Sequence, residues 1–321
     1  MAHHLAWELP VILYLFMAGL GAGATTVSAS ILLRGGGYNG GHIFTLARFG
    51  ALIGPFPVII GCSLLIFELG RPFRALNLFK VINLSPMSIG SWVLVLFIFT
   101  ALAYALAFIP SFFSGMERWR KRMGPVLHGL AWVNVPLGIG VAVYTGVLLG
   151  GIPSRPFWNS PILALLFLVS SLSTGVAIII LARILFHRKD TQSNAESEHQ
   201  FHETGYLLTA SDLLLIGFEL LVIFLFVMFA HLSVGNMKYA IAMILPGGEM
   251  AGVFWLWVVL IGLVIPALIE LAYVVPRLIY QRAYVSHLSS ELIVSITVLV
   301  GGFMLRYVVV LVGQMTGPMG I

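Results

Sequence analysis

Asp212, Glu219, Glu270 and Arg306 stand inside long apolar runs, with Arg48, His128 and Asn134 inside or at the ends of others. An ionisable side chain at membrane depth costs at least a few kcal/mol, so residues kept there have work to do. By residue count Asn134 and Glu219 lie near the middle of their runs, and Arg48, His128, Asp212 and Glu270 lie towards one face. Carboxylates, histidine and arginine spaced through a bilayer can relay protons, and the same residues can pair and lock helices together. The sequence leaves both readings open. A second group gathers near the opposite face. At about 1.5 Å per residue, Tyr14, Tyr144 and Arg306 each lie roughly 8 to 11 Å in from the ends of their runs, at one shared depth. Just above them, Glu68 and Arg71 sit in Glu68-Leu69-Gly70-Arg71-Pro72, where glycine and proline end a helix and expose its last carbonyls. That is a mouth lined with both signs of charge. Either tyrosine alone also reads as an interfacial belt residue, and Glu68 with Arg71 as a surface ion pair.

The elements that must position these residues are eight apolar spans, at 9 to 33, 43 to 67, 88 to 109, 126 to 149, 161 to 186, 207 to 232, 250 to 275 and 291 to 313. Sixty per cent of the 321 residues are hydrophobic, 9% are charged and the mean hydropathy is +1.02. A soluble domain carries about a quarter of its residues charged. Spans of about 20 residues suit helices, whereas a barrel would need alternating segments of about ten. The expected architecture is an all-α, polytopic membrane protein, a single transmembrane domain over 1–321, with its eight helices in two four-helix bundles. The first span lacks a basic leading region and is too long for a signal peptide, so it reads as an uncleaved helix.

Orientation follows from the loops. Arg34, Arg48, Arg118, Arg120, Lys121, Arg122, Arg183, Arg188, Lys189, Arg277 and Arg282 fall on one side, and Arg71, Arg74, Lys80, Arg155 and Lys238 on the other. Eleven cations against five place the first side in the cytoplasm and both termini in the periplasm of a bacterial inner membrane. The pI of about 9.5 then reflects topology, and no nucleic-acid partner is implied. The polar stretch 187–205 reads as a flexible cytoplasmic loop whose histidines are irregularly spaced, so no metal site is expected.

Cysteine and histidine usage excludes other chemistry. Cys62 is the single cysteine, which leaves no ligand set for an iron–sulfur cluster. The spans offer only His128 and His231, near opposite faces, so no haem is expected either. Gly19-Leu20-Gly21-Ala22-Gly23 imitates a dinucleotide fingerprint but follows no strand. The Gly19 to Gly23 spacing suits close helix approach, or a glycine-walled slot for a flat ligand.

Several stretches carry a joint resemblance: Tyr14 to Gly23; Glu68 to Pro72; Ser85-Pro86-Met87-Ser88 before Trp92; Tyr144-Thr145-Gly146 running to Arg155-Pro156-Phe157-Trp158-Asn159; and Gly301-Gly302-Phe303-Met304-Leu305-Arg306-Tyr307. In this order the chain resembles the NrfD/PsrC family, integral membrane subunits of bacterial respiratory oxidoreductases. The resemblance implies a quinone or quinol, menaquinone or ubiquinone, bound near the outer face. Its contacts would be Tyr144 and a polar residue of the first helix, where Tyr14 stands in place of the histidine of polysulfide reductase's membrane subunit. Arg306 shares their depth, and Glu68 matches an acidic residue proposed for the family's proton pathway. The implied partners are a ferredoxin-like iron–sulfur subunit at the outer loops and, beyond it, a molybdopterin or multihaem catalytic subunit. Two other classes fit the same helices and charges: a secondary transporter or ion pathway, and a purely structural anchor. Pro136 and Pro266 interrupt the fourth and seventh spans at different positions, unlike the matched broken helices of many transporters.

Overall fold

The computed structural model describes residues 7, 9–35, 41–68, 85–109, 117–186, 195–233, 235–280 and 287–316. Its helices are α1 (Leu9–Arg34), α2 (His42–Ile53), α3 (Pro55–Glu68), α4 (Pro86–Phe108), α5 (Glu117–Gly150), α6 (Pro161–Leu185), α7 (Ala195–Leu232), α8 (Asn236–Ala242), α9 (Ala251–Val253), α10 (Ile265–Tyr280) and α11 (Leu288–Met315), with a π-helical segment, Phe254–Val264, joining α9 to α10. Among the described residues, eight helices are long and apolar enough to cross a membrane, as the spans predict.

Local chemistry sets several boundaries. The second span is divided at Gly54 because Pro55 has no N–H to donate backward. Ser85 caps α4, its hydroxyl accepting from the Ser88 N–H at 3.3 Å, and Pro86 occupies the first turn where no donor is needed. Ser160 and Pro161 open α6 in the same way. Pro266 likewise has no N–H for the carbonyl of Gly262, and the turns before it widen to π winding, with the Ile265 N–H reaching Leu260.

Two helices overshoot the membrane. α5 has 34 residues and α7 has 38, about 51 and 57 Å at 1.5 Å per residue against a hydrocarbon core of about 30 Å. Both extend at their N-terminal ends, on the side of the basic loops. Residues 195–205 are therefore helical, and 187–194 lie outside the described residues. On that side Arg277 pairs with Glu203 at 2.7 Å and lies over the Tyr206 ring, tying α10 to α7.

α1 is the most enclosed span. It packs on α2, α3 and α5, with α4 closing the group against α2, α3 and α5. The second group is α6, α7, α10 and α11 with the π segment. Its members pack on one another, and α6 also lies along α1 and α5. The seam between the halves is the α1–α6 contact, and glycine makes it. A Cβ on Gly23 would fall 1.7 Å from the Ser171 carbonyl oxygen, and one on Gly175 would fall 2.4 Å from the Gly23 carbonyl carbon. With no hydrophobic force between helices in lipid, this backbone approach supplies the dispersion contact that holds the halves together. Gly262 and Gly301 repeat the arrangement where the π segment crosses α11.

Candidate functional site

The two tyrosines of the outer group come from α1 and α5, which pack on each other. Tyr14 is buried, with 2% of its surface exposed. Gly61 of α3 lies against its backbone, a Cβ there falling 3.3 Å from the Tyr14 Cα. Tyr144 is half-buried, and its ring packs against Gly90 of α4, where a Cβ would fall 1.7 Å from Cε2. Gly90 thus does for the tyrosine ring what Gly23 does for α6. The two side chains lie within electrostatic reach of each other, and Cys62 of α3 lies within reach of both. Neither hydroxyl makes a hydrogen bond among the described residues. Glu68 is the last residue of α3; Arg71 lies outside the described residues.

The loop before α6 is tied to the segment before α1 and to the end of α11. The Trp158 indole N–H donates to the Val309 carbonyl at 2.8 Å, its ring stacks on Trp7 at 5.1 Å, and Arg155 donates to the Gln314 carbonyl at 2.5 Å. Gln314 accepts from the Trp7 N–H and donates to the Trp7 carbonyl. The Arg155 to Asn159 stretch is therefore a clasp between the loop before α6 and the C-terminal end of α11.

Arg306 occupies the second half. It has no exposed surface. Its guanidinium donates to Ser170 Oγ at 2.9 Å, Ser171 Oγ at 3.0 Å and the Gly302 carbonyl at 2.7 Å, and it lies over the rings of Phe167 and Phe16 at 5.3 and 5.8 Å. Gly19 of α1 leaves the room: a Cβ there would fall 2.9 Å from Arg306 Nη2. Counting residues along one helix gives the height of a side chain and not the direction in which it points. The Arg306 guanidinium lies against Gly19, five residues further along α1 than Tyr14, and faces the serines of α6.

From Arg306 a column of buried polar groups runs through the second half. Glu219, 3% exposed, hydrogen-bonds Ser170 and lies within electrostatic reach of Arg306. Ser173 donates to Asp212 at 2.9 Å. Glu270 lies within reach of Asp212 and Glu291, and Glu291 forms a buried ion pair with Arg183. From Arg306 to Glu291 is fifteen residues of α11, about 22 Å at 1.5 Å per residue, most of the hydrocarbon thickness. The other candidates stand apart. Asn134 is locked between α4 and α5, accepting from the Thr100 hydroxyl at 3.0 Å and donating to the Thr100 and Leu130 carbonyls. His128 is exposed on α5, and Arg48 is half-buried on α2.

Sequence reasoning singled out Asp212, Glu219 and Glu270 but not Glu291, Ser170, Ser171, Ser173, Phe16 or Phe167, and it counted Arg183 only as a loop charge. The run Ser170-Ser171-Leu172-Ser173-Thr174 was the available signal, since four hydroxyls in five residues of a membrane helix are many. Such hydroxyls usually bond their own backbone, as Thr174 does to Ser170 at 2.8 Å, which hides those that serve another helix. Among the described residues no cluster of three or more metal-ligating side chains occurs.

Comparison with known proteins agrees with this frame. A family model described as polysulphide reductase, NrfD, matches residues 1–318. Protein NrfD of Escherichia coli is 31% identical over 97% of this chain and 96% of its own length. A polysulfide reductase chain from Wolinella succinogenes is 31% identical over 96% of this sequence and 94% of its own. A selenate reductase subunit from Mesobacillus selenatarsenatis is 22% identical over 67% of this sequence and 55% of its own. With eight apolar helices, a buried polar column and a match that runs the length of the chain, this multi-pass membrane protein belongs to the NrfD family.

Proposed function

We propose that the chain is the quinone-reactive membrane subunit of a bacterial respiratory reductase complex, with the ring bound near the outer face between α1, α3, α4 and α5. The observation that carries this reading is that Tyr14 and Tyr144, two phenol groups with no hydrogen-bond partner among the described residues, lie within electrostatic reach of each other. Two phenol donors near each other are suited to the carbonyls of a quinone, since each free hydroxyl gains a hydrogen bond when a carbonyl accepts from it. When bound, the quinone supplies two-electron, two-proton redox chemistry. Tyr14 and Tyr144 would donate to its oxygens, with Gly90 and Gly61 packed against the two tyrosines. Glu68, the last residue of α3, is the acid suited by its chemistry to take up or deliver protons on the outer side.

Two of the relatives are named as components of multi-part reductases, for polysulfide and for selenate, which supports assembly with other subunits. An iron–sulfur subunit docked on the outer loops would exchange electrons with the quinone site, with a catalytic subunit beyond it. The column from Arg306 through Glu219, Asp212 and Glu270 supports a proton route across the second half. The orientation stays that of the charge count, with both termini in the periplasm.

The decisive variant is Tyr144→Phe, which removes one hydroxyl at almost constant volume. A hydrogen bond of about 0.5 to 1.5 kcal/mol corresponds to roughly a two- to tenfold loss of quinol-linked turnover, with assembly unchanged. Full activity in an assembled complex removes Tyr144 from the site.

A further inference from the structure

The second half buries more acid than base. Among the described residues its interior holds four carboxyl groups, Asp212, Glu219, Glu270 and Glu291, and two guanidinium groups, Arg183 and Arg306. Arg183 is paired with Glu291, and Arg306 stands beside Glu219 through Ser170. Among the described residues no further buried cation faces Asp212 or Glu270. Asp212 accepts from Ser173 through Oδ1, while its Oδ2 and both oxygens of Glu270 have no hydrogen-bond partner. Glu270 is 2% exposed and lines a cavity of about 10 Å³.

The charged and polar groups around Glu270 come from every helix packed on it. Asp212 and Thr209 face it from α7, Glu291 and Ser290 from α11 with Arg183 of α6 behind Glu291, and Tyr273 from its own helix. The rest of the wall is apolar, including Ile180 and Val294. An ionised Glu270 would face two other carboxylates and a single arginine already engaged. Charges buried without a partner cost several kcal/mol even after relaxation, and lipid outside the bundle offers no compensation. The neutral acid has a donor and an acceptor instead, which one water can meet. A cavity of this size holds about one water.

We propose that Asp212 and Glu270 form a proton store, two neutral carboxylic acids within the second half, with one water in the cavity bonded to Glu270. The site's ligand is thus water and exchangeable protons. That these protons serve the outer site rests on the route proposed above; that the acids carry them does not.

Infrared spectra of the purified full-length protein in lipid nanodiscs test this without quinone or partner subunits. At neutral pH the carbonyl-stretch region of protonated carboxyl groups should hold two components that shift in D₂O. Glu270→Gln should remove one and Asp212→Asn the other. Val294→Phe, which fills the cavity, should raise the frequency of the Glu270 component by removing its water and slow its exchange. Should the acid variants not assemble, the native protein still decides, since the lack of any protonated-carboxyl band at neutral pH overturns the store. A spectrum unchanged by both single substitutions overturns it equally. If the bands are assigned as expected but Glu270→Gln turns over quinol normally in an assembled complex, the store stands and its place on the route to the outer site falls.

Discussion

Replacing Arg306 with methionine keeps an unbranched stem and deletes the guanidinium, so it tests whether this arginine binds the second half to the first. Three donated bonds are lost, to Ser170, Ser171 and the Gly302 carbonyl, together with the cation over Phe16 and Phe167. Few acceptors are stranded. Gly302 keeps its helical partner, and Ser171 still donates to the Phe167 carbonyl at 2.6 Å. The larger effect falls on Glu219, which is left in the interior without a cation. Removing one member of a buried charge pair typically costs about 3 to 5 kcal/mol, and Arg306→Met should fall in that range. Glu219→Gln in the same chain removes the stranded charge and should restore about 2 kcal/mol of it, since the desolvation penalty of a charged group exceeds that of an amide. The measurement is the unfolding free energy of the four proteins of a double-mutant cycle in mixed micelles. A coupling below about 0.5 kcal/mol, the level at which independent sites add, would refute the linkage of Arg306 and Glu219 through Ser170.

Other expectations follow from the packing and the charges. Gly23→Val should disrupt the α1–α6 seam, since its first added carbon already meets the Ser171 carbonyl, and overpacking of this kind costs about 1 to 3 kcal/mol or more; a thermal unfolding midpoint equal to that of the native protein would contradict the seam. Glu291→Gln should cost about 3 kcal/mol or more by breaking the buried pair with Arg183, whereas Glu203→Gln, in the partly exposed pair with Arg277, should cost under about 1 kcal/mol. The same micelle titration gives both values, and equal losses would count against the difference in burial. Cysteines placed at Ser114 and Ser193 should resist an impermeant thiol reagent in intact cells, and full-rate labelling of both reverses the proposed orientation.

The eight spans were legible because lipid demands about twenty apolar residues per crossing, and little else in the chain competes with that signal. Helix ends were not. Hydropathy marks where lipid stops, so it placed the fourth and sixth spans at 126 and 207, while their backbones continue in helix to Glu117 and Ala195. The close approach at Gly23 could be anticipated from glycine spacing, but its partner on α6 could not, because residue counts along one helix carry no information about neighbours. The same gap explains the buried column. Asp212, Glu219 and Glu270 stand out as acids in apolar runs, yet their grouping with Ser170, Ser173 and Arg183, and the separation of Asn134 from them, depend on which faces meet. Gly90 gave no sequence signal at all, and only its contact with the Tyr144 ring explains it.

The partners of Arg306 also set an order of events at the ribosome. Ser171 of α6 precedes Arg306 by 135 residues, and synthesis at about 5 to 20 residues per second puts roughly 7 to 27 seconds between them. During that time the serine face of α6 and the notch at Gly19 are in the membrane without the guanidinium that fills them. α1, the least apolar of the eight spans among the described residues, is made long before α11, and part of its interface is completed only when α11 arrives. The half-made protein therefore exposes its polar interior to lipid or to the insertion machinery for seconds. A polypeptide that stops before α11 leaves its acids and hydroxyls as a visible mark for membrane quality control.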